Sequence, residues 1–210
     1  DEYYNKSAVA ISIQGAKPEI ADETEIRLTA AAPGRPLTIL IASAASFDKQ
    51  TSVADLAVRQ LDAAASKGYR TLAAETGKWW HNFWSRGAVE LHSDDGVADL
   101  VEQNYNYFLY VMAASSRGKF PPKFNGMIWN TGGDLRTWGA QHWYANLSCY
   151  YEAVFSTGRL ELLDPFFDMY SGTHDACAVA ARQQWGSQGI YIPETTYFNG
   201  LEKLPDDIAA

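Results

Sequence analysis

The residues with the most chemistry in them lie close together. From Lys119 to Ala153 the chain reads KFPPKFNGMIWNTGGDLRTWGAQHWYANLSCYYEA. Two prolines open this stretch, a Gly-rich loop follows, and aromatic rings then mix with amides: Asn125, Trp129, Asn130, Trp138, His142, Trp143 and Asn146. Ring faces stack on the C–H face of a pyranose, and amide, imidazole and carboxylate groups bond its hydroxyls, so this mixture is what a sugar site needs. Trp129, Trp138 and Trp143 are the candidates for stacking, with core packing as their other reading. His142 and Asn146 are four residues apart, which places both on one face if the segment is helical.

Hydrolysis of a glycosidic bond with inversion needs an acid for the leaving oxygen and a base for water, with the carboxyl groups about 6.5–9.5 Å apart. Three carboxylates are candidates. Asp134, in TGGDLRTW, reads equally as a turn cap or a partner of Arg136. Glu152 follows a Tyr pair on a predicted helix and reads also as a partly buried structural hydrogen-bonding group. Glu194 follows Pro193 and precedes Thr195, Thr196, Tyr197 and Phe198. A carboxylate on such an aromatic loop bonds or protonates a sugar oxygen, or else holds the loop. If it acts as an acid, desolvation by the rings should raise its pKa.

Composition removes other classes. A net charge of −8 and a pI of about 4.9 argue against nucleic acid or an anionic membrane surface as partner. No run of 18 apolar residues marks a membrane span. The four histidines, His81, His92, His142 and His174, form no metal-binding pair. No phosphate loop and no G-x-S-x-G elbow is present, so neither a metal nor a cofactor is implied. Cys149 and Cys177 fall in predicted helices and read as two buried free thiols or as a disulfide. The opening, DEYYNKSAVAIS, lacks a basic stretch followed by an apolar one, and Asp1 reads as a cut point.

The elements that must position these residues fall in two groups. Residues 8–13, 25–29 and 37–43 read as strands, with Pro18, Pro33-Gly34 and Pro36 as turns. Three strands cannot enclose a core, so they read as the end of a β-sandwich whose other strands are absent. From Val53 the period becomes helical, with one helix ending at Gly68 and a second over Tyr69–Arg86. Val89–Leu91 reads as a short strand and Ser93-Asp94-Asp95 as an N-cap cluster. A helix over Gly96–Ser116 has Val97, Leu100, Val101, Asn104, Phe108, Val111 and Met112 on its predicted buried face. Further helices are expected over Gly139–Ser156 and Leu160–Gln183, the latter breaking at Gly172, before a short strand and loop in GIYIPETTYFNG.

Four blocks in order, FLYVMAASSRG, PPKFNGMIWN, WGAQHWYANLSCYYEA and LDPFFDMY, resemble glycoside hydrolase family 95, which contains α-L-fucosidases and α-L-galactosidases. That family carries a loop P-x-x-L-Q-G-I-W-N, matched by Pro122, Phe124, Asn125, Gly126, Ile128, Trp129 and Asn130. Its helix start Y-H-x-N-I-N is matched around Gln141–Asn146, and its P-L-F-D by Pro165, Phe166, Phe167 and Asp168. The resemblance covers nearly the whole chain and implies an α+β architecture: the end of a β-sandwich over 1–50, a helical linker over 51–92, and the first helices of an (α/α)6 toroid over 93–210.

The resemblance implies an inverting, metal-independent hydrolase of neutral sugars, in the periplasm or outside the cell, with an oligosaccharide or glycan as its partner. Asn146 would position the attacking water. Asn125, Trp129, Asn130, Trp138, His142 and Trp143 would line the sugar subsite, and Glu194 would bind or protonate. Two departures stand out. Tyr144 occupies the place of the first of the family's two water-holding asparagines, and a phenol has no amide oxygen to offer. The family's catalytic acid and the carboxylate of its water site lie beyond the equivalent of residue 210, so this stretch reads as the front part of a larger enzyme. A non-catalytic sugar-binding relative and a purely structural helical domain are the other readings.

Overall fold

A computed structural model describes residues 6–32, 34, 36–124 and 142–200. The described residues form a mixed α+β chain with six α-helices and three two-stranded antiparallel sheets. The chain divides into two compact units, Asp1–Ser85 and Arg86–Ala210. Both predicted linker helices fall in the first unit, with the strands.

In the first unit β1 (Lys6–Gln14) pairs with β4 (Thr38–Ser46) over nine residues, from Lys6↔Ser46 to Gln14↔Thr38. Between them β2 (Ala16–Ile20) and β3 (Ile26–Ala30) form their own hairpin. β2 was not expected, because Pro18 reads as a turn. A two-stranded ladder tolerates proline, since one side of every strand in it is an edge. The three predicted strands are otherwise present.

Alternation on the β1–β4 ladder separates two kinds of side chain. Ala8, Ala10, Ser12, Leu40, Ala42 and Ala44 face the covered side. Helix α1 (Val53–Lys67) packs on this hairpin through Val53, Ala57 and Leu61, spaced four apart on one stripe. Small side chains on the sheet let the helix approach closely. Ser52 caps α1 by accepting the Asp55 N–H, and Gly68, at φ +74°, ends it where a side chain would be strained. The branched side chains Val9, Ile11, Ile39 and Ile41 lie on the other face and are exposed. Helix α2 (Tyr69–Trp84) carries Trp79, Trp80, Phe83 and Trp84, whose i, i+4 pairs stack at 5.3 and 6.3 Å.

In the second unit, helix α3 (Val97–Ser115) begins where the sequence placed its cap cluster. Ser93 Oγ accepts the Ala98 N–H at 2.9 Å and Asp95 accepts the Val97 N–H at 3.0 Å. Residues 89–91 are not a strand: the Leu91 N–H goes instead to the Glu102 carboxylate. The predicted buried face of α3 holds only at its C-terminal half. Val97, Leu100, Val101 and Asn104 are exposed, while Leu109, Val111, Met112 and Ala113 are buried. Helical period locates an apolar stripe but not how far along it a partner reaches.

The chain resumes with β5 (His142–Trp143), then α4 (Tyr144–Glu152). Short 3-10 turns at Phe155–Thr157 and Leu160–Leu163 follow, then α5 (Asp164–Gly172) and α6 (His174–Trp185). Pro165 sits in the first turn of α5, and the break falls at Thr173, next to the expected Gly172. The final strand, β6 (Thr195–Thr196), pairs with β5. The two cysteines are free thiols, Cys177 buried as expected and Cys149 exposed against expectation. Glu152 is likewise exposed rather than partly buried.

A buried polar node joins three elements of this unit. Ser116 Oγ lies 2.7 Å from Tyr151 Oη and donates to the Leu162 carbonyl at 2.9 Å, so the phenol donates to Ser116. Burial pushes the Tyr151 phenol up to about 12, keeping it a donor. The Arg159 guanidinium, fully buried, donates to the carbonyls of Thr157 and Gly87 at 2.8 and 2.7 Å. Arg86 and Glu161 form an ion pair beside it. We predict that Ser116→Ala lowers stability by about 1–3 kcal/mol, because it strands a buried phenol and a carbonyl. In urea unfolding, Ser116→Ala combined with Tyr151→Phe should cost less than the sum of the two.

Candidate functional site

Of the predicted site residues, Asn125, Trp129, Asn130 and Trp138 lie outside the described residues, as do Asp134 and Arg136. His142, Trp143, Asn146 and Glu194 are described, and the structure brings them together at the start of α4.

The helix starts later than the sequence suggested. Trp143 is its N-cap residue and Tyr144 its first turn, so His142 precedes the helix on β5. His142 and Asn146 therefore do not share a helical face. The reason lies across the ladder: His142 pairs with Thr196 and Trp143 with Thr195, an extended pairing that overrides helical spacing. The two residues also differ in access. His142 is 3% exposed, whereas Asn146 is exposed on the first turn of α4.

Trp143 has no side-chain oxygen with which to cap α4, and it makes no side-chain cap bond. Glu194 supplies the acceptors from fifty residues away. Its main-chain carbonyl accepts the Tyr144 N–H at 2.8 Å, and its carboxylate accepts the Ala145 N–H at 3.1 Å. Both N–H groups belong to the four that every helix start leaves without an internal partner. A carboxylate is also favoured there by the helix dipole. Glu194 is thus an acid held in place by a helix end, next to the residue that carries the Asn146 amide.

Rings surround this corner. Phe124 lies 5.9 Å from Trp143, and Phe120 lies 4.9 Å from Phe198, both edge to face. Tyr144 is 47% exposed and packs its ring on Phe166 and Tyr170, at 6.1 and 5.5 Å. Burial, with repulsion from Lys123, pushes the His142 imidazole down to about 4, so it is neutral near pH 7. Its Nδ1 is buried and has no hydrogen-bonding partner among the described residues.

Sequence reasoning missed the partnership of Glu194 with α4. Nothing in the local sequence signals a cap supplied by a distant loop; the weak trace is an N-cap position filled by Trp143, which cannot cap. A groove of about 660 Å3 lies elsewhere, lined by Gly96, Asp99, Leu100, Glu102, Gln103 and Asn106, none of them expected at the site. Two of its carboxylates are already engaged, Asp99 by His92 and the Ser93 N–H, Glu102 by the Leu91 N–H. Among the described residues no group of three His, Cys, Asp or Glu is placed to hold a metal ion, and no helix is long and apolar enough to cross a membrane.

No family model, no curated protein and no solved structure matches the chain.

The buried imidazole makes a pH prediction. Its folded pKa lies below the ordinary value of 6.5, so the proton prefers the unfolded chain. The stability it permits is complete above about pH 6.5 and is lost as pH falls from there towards 4 and below, by about 3 kcal/mol at most. Chemical unfolding across pH 4–8 should show this loss, and His142→Gln should flatten it. Imidazole NMR titration should place His142 well below 6.5.

Proposed function

We propose that the chain is part of a glycoside hydrolase acting on neutral sugars, inverting and independent of metal. One observation carries the reading. Asn146, an exposed amide, stands on the helix turn where the Glu194 carboxylate is bound, shortly after Tyr144 and after Trp143, whose ring meets Phe124. An amide and a carboxylate at one helix start can share a water or two adjacent sugar hydroxyls, and the rings offer faces for a pyranose. Asn146 would orient the water. Glu194, already accepting from Ala145, would bond the sugar or its water through its other oxygen.

The resemblance supplies the rest of this reading. The strands would close a β-sandwich, and α3–α6 would be early members of an (α/α)6 toroid. Asn125, Trp129, Asn130 and Trp138 would complete the subsite with Trp143. A periplasmic or extracellular place would suit a glycan substrate. His142, being sealed, would serve the subsite from behind or after a rearrangement.

A second reading is a sugar-binding relative without turnover. Tyr144 favours it: the family has an amide there, and here a phenol ring is packed on Phe166 and Tyr170.

A panel of aryl glycosides tests both. Hydrolysis by the protein, reduced about 100-fold or more in Asn146→Ala with the fold intact, is the expected result for the first. Saturable binding of the same sugars without release of the aryl group is the result for the second. Neither binding nor release would remove both.

A further inference from the structure

Residues 187–200 leave α6, cross its flank, meet the start of α4 and return to the end of α5. Both shoulders of this crossing are pinned. On one side the Tyr191 N–H donates to the Cys177 carbonyl at 3.0 Å. On the other, Gly200 at φ +67° is pressed so closely on Thr173 that a Cβ there would meet the Thr173 side chain at 2.8 Å. Between the pins runs Ile192–Tyr197, which contains β6.

This middle part pairs with the strand that carries a buried imidazole and is fastened at a definable point. His142 is 3% exposed and Thr196, its ladder partner, 1%. The fastening is Glu194, which gives α4 two acceptors, one from its backbone and one from its side chain. The side chain itself is exposed, as are Ile192 and Tyr197. The group beside it is unusual in a folded interior: an imidazole whose Nδ1 has no partner among the described residues, although buried polar atoms nearly always have one. An unspent hydrogen-bonding atom beside a short paired segment held by an exposed carboxylate is the arrangement of a door.

We propose that residues 192–197 are a gate alongside His142, and that the Glu194 carboxylate is its latch. Opening breaks the bonds from Tyr144 and Ala145 to Glu194 and parts β5 from β6, which bares the imidazole for a ligand with a hydroxyl or other hydrogen-bonding group. The gate stands on the bonding pattern alone. That the ligand is a sugar rests on the function proposed above.

The charged and titratable groups concerned are few. Glu194 acts on the helix start, and Lys123 repels a proton on His142. Tyr144 and Tyr197 flank the latch in sequence and on α4.

The test is histidine modification by diethyl pyrocarbonate, read by peptide mass spectrometry on the whole chain without any sugar. His81, His92 and His174 are exposed and serve as internal standards. His142 should react far more slowly than these in the native protein. In Glu194→Ala it should react about fivefold faster, the factor expected for loss of a helix cap. Glu194→Asp should restore part of the protection. A wild-type rate at His142 in Glu194→Ala, with helical circular dichroism intact, overturns the proposal.

Should Glu194→Ala fail to fold, hydrogen exchange on the native protein decides instead. The Tyr144 and Ala145 amides should exchange together, faster than the Cys177 amide bonded within the core. If all three exchange only at the rate of global unfolding, no gate opens and the proposal fails. Sugar binding by a protein with no such opening would leave the proposed function standing and remove the gate alone.

Discussion

Much of the second unit depends on where one hydroxyl finds its partners. Ser116 stands at the end of α3, Tyr151 on α4, and the Leu162 carbonyl in the 3-10 turn before α5. Three elements thus share one dry oxygen. A hydrogen bond inside protein contributes little in net terms, but an unmade one costs more, so the arrangement discriminates strongly against alternatives. It sets the rotation of α4 about its own axis. That rotation buries Leu147 and Tyr151 and leaves Asn146 outward and exposed.

Glu194 does for the front of α4 what Ser116 does for its back. A nine-residue helix is too short to hold itself in water. It persists because both ends are tied from outside: a phenol near its last turn, a carbonyl and a carboxylate at its first. The proposed chemistry of this corner follows from how the helix is held. An acid placed for a structural reason is also an acid kept at a fixed position, and fixed position is most of what a catalytic or binding group needs.

How far the sequence spoke can be judged element by element. Local signals carried well. Val53 and Gly68 bounded α1, Ser93 and Asp95 started α3, Pro165 sat in the first turn of α5, and the strands around Ile11, Leu28 and Leu40 appeared. Each of these rests on a few neighbouring residues. What was not legible needed distant ones. His142 reads as helical until Thr196 is known to lie beside it. Val97 and Leu100 read as buried because an apolar stripe says nothing of what comes to meet it. Pro18 reads as a break unless its strand is known to have an open side. At the site, the cluster of rings and amides was visible, while the role of Glu194 as a cap, and the sealing of the imidazole, came from a contact between positions about fifty apart.

The β1–β4 hairpin has one further consequence. Its open face shows Val9 at 65% and Ile41 at 68% exposure, with Ile11 and Ile39 beside them, and no charged side chain interrupts this run. Among the described residues neither strand pairs with a third along its other edge. Natural sheets guard such places with lysines, bulges or a covering layer. Pro18 gives β2 a guard of that kind, and β1 has none between Ser7 and Gln14. Left bare, this hairpin would recruit other extended chains, so colloidal behaviour, rather than unfolding of the helices, would set the concentration at which the molecule can be kept in solution.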